Sequence, residues 1–252
     1  MNSEHRSPIE ATTILTRGGW QEGIDKAAQD ERWNYWDCEI QAAVNEYNQH
    51  LAGIAGYIPL DWYFIKSMVW VETGANSSEW KIKPMQIGVP GDPGMASLLS
   101  GNEGGDLILP PHWKSKLTPN SIRTIPQHNL RAGIGYLLMR MGNYEYRSLP
   151  SADGKLYEVV VSPGDSFDKI ARKNGSTVET IRKLNPHILL LRPGQMLKYQ
   201  KSSVQRIIRN WRILSTQMAA QRYNGGGDPN YARKLDYVLP LLRKGKVAVC
   251  EK

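Results

Sequence analysis

The feature that most constrains this chain is a change of hydrophobic period near residue 156. Before it, apolar residues recur at helical spacing. Then "LYEVVV" (156–161) reads as a strand, "SPGDS" as a turn, "SFDKIARKNG" and "TVETIRKLN" as two short helices, and "RPGQMLKYQ" as a returning strand. The apolar set of this β-α-α-β unit is Val159, Phe167, Ile170, Ala171, Val178, Ile181, Leu184, Met196 and Leu197. Pairing of its first and last strands would bring its two ends together. Such a unit can sit in a host loop without separating the host's elements. The expected organisation is therefore mainly α: an N-terminal helical extension over 1–55, a helical domain formed by 56–150 and 202–252, and a β-α-α-β insert over 155–201.

The helical parts carry their own punctuation. A helical pattern from Ile24 to Leu51 (Ala27, Trp33, Trp36, Ile40, Ala43, Val44, Tyr47) stops at "GIAGYIP". Asp61 is an N-cap, with Leu60 and Ile65 at the two positions of a hydrophobic staple. Gly74 suits the left-handed residue after a C-terminus, which predicts a helix from Trp62 to Thr73. Residues 88–127, rich in Gly, Pro and Asn, read as loops with short helical pieces. Further helices are expected over Asn129–Met141, Val204–Tyr223 and Tyr231–Leu242, with breaks at "SLPSADGK" and "YNGGGDPN".

Composition narrows the classes. The chain has 252 residues, 40% hydrophobic and 22% charged, as a soluble globular protein does. Its net charge of +8 suits a polyanion: nucleic acid, an anionic membrane surface or an acidic cell-wall polymer. The insert holds nine basic and four acidic residues, a balance of +5 that serves either a solvated surface or attraction to an anionic wall. No apolar run reaches about 18 residues, so no membrane span is expected. The first 20 residues lack the apolar core of a signal peptide, so synthesis in the cytoplasm is expected. The histidines show no metal-ligand spacing and there is no CxxC, so neither a metal site nor another cofactor is expected. Cys38 and Cys250 can pair only if the two ends of the chain meet. The expectation is two unremarkable thiols.

Glu72 stands out at the end of an apolar run, three residues after Val69, four after Met68 and seven after Ile65. It shares their face of the helix. Burial raises a carboxyl pKa, and the negative end of a helix dipole acts in the same direction. Cleavage of a glycosidic bond needs an acid still protonated near neutral pH, whereas an exposed Glu titrates at about 4.3. Periodicity alone fits a hydrated glutamate at a frayed helix end equally well.

Ordered motifs extend this. The unit over 156–200 resembles a LysM domain, which grips N-acetylglucosamine-containing glycans, through Tyr157, "PGDSFDKIA", "LNP" at 184–186 and "RPGQMLK". The resemblance implies sugar between the loop Gly164, Asp165, Ser166, Phe167 and the loop Asn185, Pro186, His187, Ile188. The remainder resembles the lytic transglycosylase and goose-type lysozyme superfamily through Glu72-Thr73-Gly74, Pro84-Met85-Gln86-Ile87, Asn129 to Leu137, and Tyr223-Asn224-Gly225-Gly226. That resemblance implies a lysozyme-like fold interrupted by the LysM module. It also implies a muramidase that cleaves the β-1,4 bond between N-acetylmuramic acid and N-acetylglucosamine, with Glu72 as acid then base. Gln86 and the backbone around Met85 would form the cleft floor, and Tyr223 and Asn224 would lie near carboxylate and substrate.

The pattern also departs from the family. Lys83-Pro84 replaces the usual Gly-Leu, and the aspartates of goose-type enzymes have no counterpart. Glu79, Asp92, Glu103 and Asp106 remain as second carboxylates, each equally a loop or capping residue. Trp80 and Trp113 fit either sugar stacking or core. The loops around 83–110 resemble lysozyme-like type VI secretion effectors, which implies peptidoglycan strands, an immunity protein and a secretion component as partners and action at a target cell's wall. A phage endolysin, or an inactive wall-binding or structural part of a phage tail or secretion machine, are the alternatives.

Overall fold

Asp61 accepts a hydrogen bond from the Tyr63 N–H (3.0 Å) and starts α3, Trp62–Glu72. Gly74 follows its end with φ +70°, and the Trp33 ring fills the space a Cβ would need, so only glycine fits there. The computed structural model describes residues 19–250. Most of the stretch read for a signal segment, residues 1–18, lies outside the described residues. No helix among them is long and apolar enough to cross a membrane.

About half of the described residues are helical, and they include two small two-stranded sheets. Before α3 come α1 (Trp20–Ala27) and α2 (Asp37–Leu51), and after it four short helices, α4 (Gly94–Ser100), α5 (Gly105–Ile108), α6 (Pro111–Lys114) and α7 (Pro119–Thr124). These lead into α8, Pro126–Met141, which is buried along most of its length. Arg131 of α8 pairs with Glu39 and Glu46 of α2, and the Tyr47 hydroxyl donates to the Arg131 carbonyl (2.7 Å).

The expected boundary after residue 55 is not present. Ile24, Trp33, Trp36, Ile40, Tyr47 and Leu51 belong to the same buried cluster as α3 and α8. The single helix expected over 24–51 is broken at Asp30, whose carboxylate caps a 3₁₀ turn, Glu31–Asn34. That turn directs Trp33 inward. Trp80 and Trp113 are core residues, 3% and 9% exposed, so neither presents a face for a sugar. Trp36 Nε1 donates to the Trp80 carbonyl (3.0 Å).

The two ends of the described chain do meet. Cys38 and Cys250 form a disulfide with Cα atoms 5.4 Å apart, which corrects the expectation of two separate thiols. Beside it, Asp37 and Lys66 make a fully buried ion pair (2.7 Å), and the Ala248 N–H donates to the second Asp37 oxygen (3.1 Å). Desolvation lowers the Lys66 pKa. Either charge alone would be costly there, so the pair requires the α2–α3 contact.

The insert is joined to the helices by an antiparallel ribbon that sequence periodicity missed. β1 (Gly142–Pro150) pairs with β4 (Ser202–Trp211) from Gly142 opposite Trp211 to Pro150 opposite Ser202, with a bulge at Asn143/Tyr144. The helix expected over 204–223 is thus a strand followed by a short helix, α11 (Thr216–Arg222), before α12 (Tyr231–Lys244). At the ribbon tip sits the unit of β2 (Leu156–Val160), α9 (Phe167–Lys173), α10 (Val178–Leu184) and β3 (Met196–Gln200), with its own core of Val161, Phe167, Ile170, Ala171, Ile181 and Leu197. Met196, expected in that core, is exposed: Leu197 points inward, so its neighbour faces out opposite Val160. Hydroxyls fasten unit to ribbon. The Ser148 hydroxyl bonds those of Thr177 and Thr180, and Ser202 Oγ accepts from the Thr177 N–H (2.9 Å).

The disulfide closes a loop of 212 residues of sequence separation. Cys250→Ser, or reduction of wild type, should lower unfolding free energy by about 3–5 kcal/mol in a denaturant titration. An unchanged midpoint would contradict a constraining role for the bond.

Candidate active site

The end of α3 faces a turn held from behind by one amide. Asn129, fully buried on α8, accepts from the Met85 N–H (3.0 Å) and donates to the carbonyls of Ile87 (2.9 Å) and Ile122 (3.0 Å). Gly133, one turn along α8, leaves room for the Met85 side chain, whose atoms lie 2.6 Å from where a Cβ would be. Gln86 has φ +52°, the positive value found at no other non-glycine residue among those described. Its amide donates to the Lys83 carbonyl (2.8 Å). A left-handed glutamine costs about 1–3 kcal/mol and persists only where its surroundings over-determine it. The Thr73 hydroxyl, 3.2 Å from the Pro84 carbonyl, ties this turn to the end of α3.

A cavity of about 230 Å³ lies between these elements, lined by Glu72, Met85, Gln86, Ile87, Val89, Asp92, Tyr136, Tyr223 and Asn224. The expected residues Glu72, Met85, Gln86, Tyr223 and Asn224 therefore do come together. Met85 is fully buried and forms part of the cavity wall. Tyr223 donates to the Met85 carbonyl (2.7 Å) rather than to Glu72, and Asn224 Oδ1 accepts from the Asp228 N–H (2.7 Å).

The hydroxyl that reaches Glu72 belongs to Tyr231, a residue absent from the sequence motifs. It donates to Glu72 Oε1 at 2.6 Å and is itself buried. Burial pushes the Glu72 carboxyl up to about 7, and the negative charges of Asp228 and Asp92 act in the same direction. The Tyr231 hydrogen bond and Lys234 oppose that rise without cancelling it. Lys234 is engaged by Asp228 (2.7 Å), which blunts its pull on Glu72.

Of the second carboxylates expected, Asp92 alone lines the cavity. Its two oxygens accept from the N–H groups of Gly94 (2.7 Å) and Gly88 (2.8 Å). Glu79 pairs with Lys83, Glu103 with Arg140, and Asp106 with Arg206.

The ribbon-borne unit has β2 and β3 paired from Leu156 opposite Gln200 to Val160 opposite Met196, with two capped helices between them. Residues 159–199 match the family model of the LysM domain. Comparison with curated proteins and comparison with solved structures each returned no match. The LysM match indicates a glycan of the peptidoglycan type as the module's ligand.

Its two expected loops differ in what they can offer a sugar. Gly164, Ser166, Pro186 and His187 are exposed, and Asp165 and Ile188 half-buried. Phe167 and Asn185 are buried and structural. Phe167 lies under the Arg182 guanidinium, and Asn185 donates to the Ile181 and Lys198 carbonyls and accepts from the Lys198 N–H. Leu189 and Leu190, 83% and 79% exposed, extend the LysM loop surface with apolar area that the motifs did not single out.

The raised Glu72 pKa has a stability consequence. Between its ordinary value of 4.5 and about 7 the folded state holds the proton more firmly than the unfolded chain. That contribution is complete below pH 4.5 and is lost as pH rises through about 7. Glu72→Gln, which mimics the neutral acid, should match wild type at about pH 4 and exceed it by up to about 3 kcal/mol at about pH 8 in urea titrations. A difference independent of pH would contradict the shift.

Proposed function

We propose that this chain is a peptidoglycan-cleaving glycosidase in which Glu72 is general acid and then base, with the LysM module holding the glycan. The observation that carries the proposal is a carboxyl pushed up to about 7, lining an open cavity and oriented by a buried tyrosine hydroxyl. In this scheme the Glu72 proton passes to the oxygen of the β-1,4 bond between N-acetylmuramic acid and N-acetylglucosamine as that bond breaks. The carboxylate then takes a proton from the incoming nucleophile. That nucleophile is the muramoyl 6-hydroxyl, leaving a 1,6-anhydro end, or water, leaving a reducing end. Both Asp92 oxygens hold the loop between Gly88 and Gly94, which favours a single-carboxylate route.

The disulfide supports action in an oxidising compartment such as the periplasm or cell wall. Delivery by a type VI secretion apparatus, with an immunity protein in the producing cell, fits such a site of action.

Purified protein incubated with peptidoglycan should release soluble muropeptides, whose masses distinguish anhydro from reducing ends. Glu72→Gln should reduce release by at least about 10³-fold while leaving pull-down on insoluble wall intact. Removal of 156–200 should weaken pull-down. Wall binding without any release by wild type would instead favour a wall-binding component.

A further inference from the structure

A second recess, basic in character, opens where the ribbon meets the helices. It measures about 390 Å³ and is lined by Arg140 of α8, Arg206 of β4, Arg212 just after β4, and Arg222 of α11, with Glu103 as the carboxylate among its described lining residues. Arg140 pairs with Glu103 (3.1 Å), and Arg206 pairs with Asp106 (2.7 Å). Among the described residues the other two arginines have no carboxylate partner. The Arg212 side chain donates to the backbone carbonyls of Gly142 (2.8 Å) and Arg140 (3.3 Å). Arg222 Nε is shielded from solvent and unpartnered. Burial, followed by the charges of Arg222 and Arg140, lowers the Arg212 pKa, a sign that positive charge accumulates here.

Two tyrosines of the Glu72 cavity lie close in the chain to arginines of the recess. Tyr136 lines that cavity one helical turn before Arg140 on α8, and Tyr223 lines it directly after Arg222. Their rings are 5.6 Å apart. A ligand spanning both spaces would therefore carry a neutral sugar at Glu72 and an anion at the arginines. Guanidinium groups match planar carboxylates in bidentate fashion, and a recess of this size suits a small ligand rather than a flat polyanion surface. In peptidoglycan, the anion attached to the muramoyl ring is a short peptide bearing several free carboxylates.

We propose that the Arg140–Arg206–Arg212–Arg222 recess binds the carboxylates of the stem peptide attached to the glycan strand. The placement of that peptide beside Glu72 rests on the glycosidase reading, whereas its binding does not. The recess would then distinguish peptide-bearing strands from bare N-acetylglucosamine polymers, which the LysM module alone would hold.

The test uses the full chain and a free tetrapeptide, L-Ala-γ-D-Glu-meso-diaminopimelate-D-Ala, in calorimetric titration at low salt. Saturable binding is expected. It should weaken about tenfold in Arg222→Gln, further in the double variant with Arg212→Gln, and with rising salt. A soluble N-acetylglucosamine oligomer should bind all variants equally. The Arg222 side chain makes no hydrogen bond or ion pair within the described residues, so its substitution should leave the fold intact, which a melting curve checks. Failure of the tetrapeptide to bind, or equal binding by Arg222→Gln, would overturn the proposal. Tighter binding of an acidic polypeptide such as polyglutamate would overturn it in favour of a protein partner. A chain that binds the peptide yet releases no muropeptide contradicts only the glycosidase reading. A chain that cleaves without binding the peptide contradicts only this proposal.

Discussion

The packing of α12 on α3 is the contact on which the rest of the molecule depends. Glu72 and Tyr231 are 159 residues apart in the chain and 2.6 Å apart in space. The LysM unit between them must leave the helical body and return without disturbing this approach. The β1–β4 ribbon does so, because an antiparallel pair ends where it begins. The chain's far end is secured separately, by the Cys38–Cys250 bond and by Asp37, which accepts from Ala248 and pairs with Lys66 of α3. Glu72 thus stands on a helix contacted at both ends by α12, through Tyr231 at Glu72 and through Arg243 at the Asp61 cap (2.7 Å).

That grip sets the electrostatics of the site. A cation bonded to Glu72 would hold it ionised, whereas Tyr231 donates a neutral hydrogen bond that orients the carboxyl while burial keeps it protonated. Tyr231 stays a donor because its own pKa is raised well above the usual tyrosine value, by burial first and then by the Glu72 charge. Asp228 contributes twice, adding negative potential and engaging Lys234. On the opposite wall, Asn129 and Gly133 together fix the Met85–Ile87 backbone. Rigid supports on both sides meet the preorganisation that an acid catalyst needs.

Much of this was legible in sequence where the determining chemistry is local. The Asp61 cap, the Gly74 stop and the apolar face that buries Glu72 all lie within about one helix. The LysM unit was legible because its strands, turns and caps form one compact unit. The ribbon was not. Val204, Ile207, Ile208 and Trp211 fall at helical spacing, and the strand that overrides it lies some sixty residues earlier in the chain. The disulfide and Tyr231 were hidden for the same reason, since each is defined by a partner more than 150 residues away. Tyr231 did leave one signal. With Leu235, Val238 and Leu242 it forms the buried stripe of α12, and a buried tyrosine hydroxyl requires an acceptor.

The proposed chemistry requires that Glu72 carry a proton near neutral pH. It is tested most directly by titrating the Glu72 carboxyl itself, through ¹³C-carboxyl NMR of the full chain with the Glu72→Gln spectrum as the assignment reference. A midpoint at about 7 is expected. A midpoint at the ordinary value of 4.5 would contradict it, leaving Glu72 an ionised residue at a helix end.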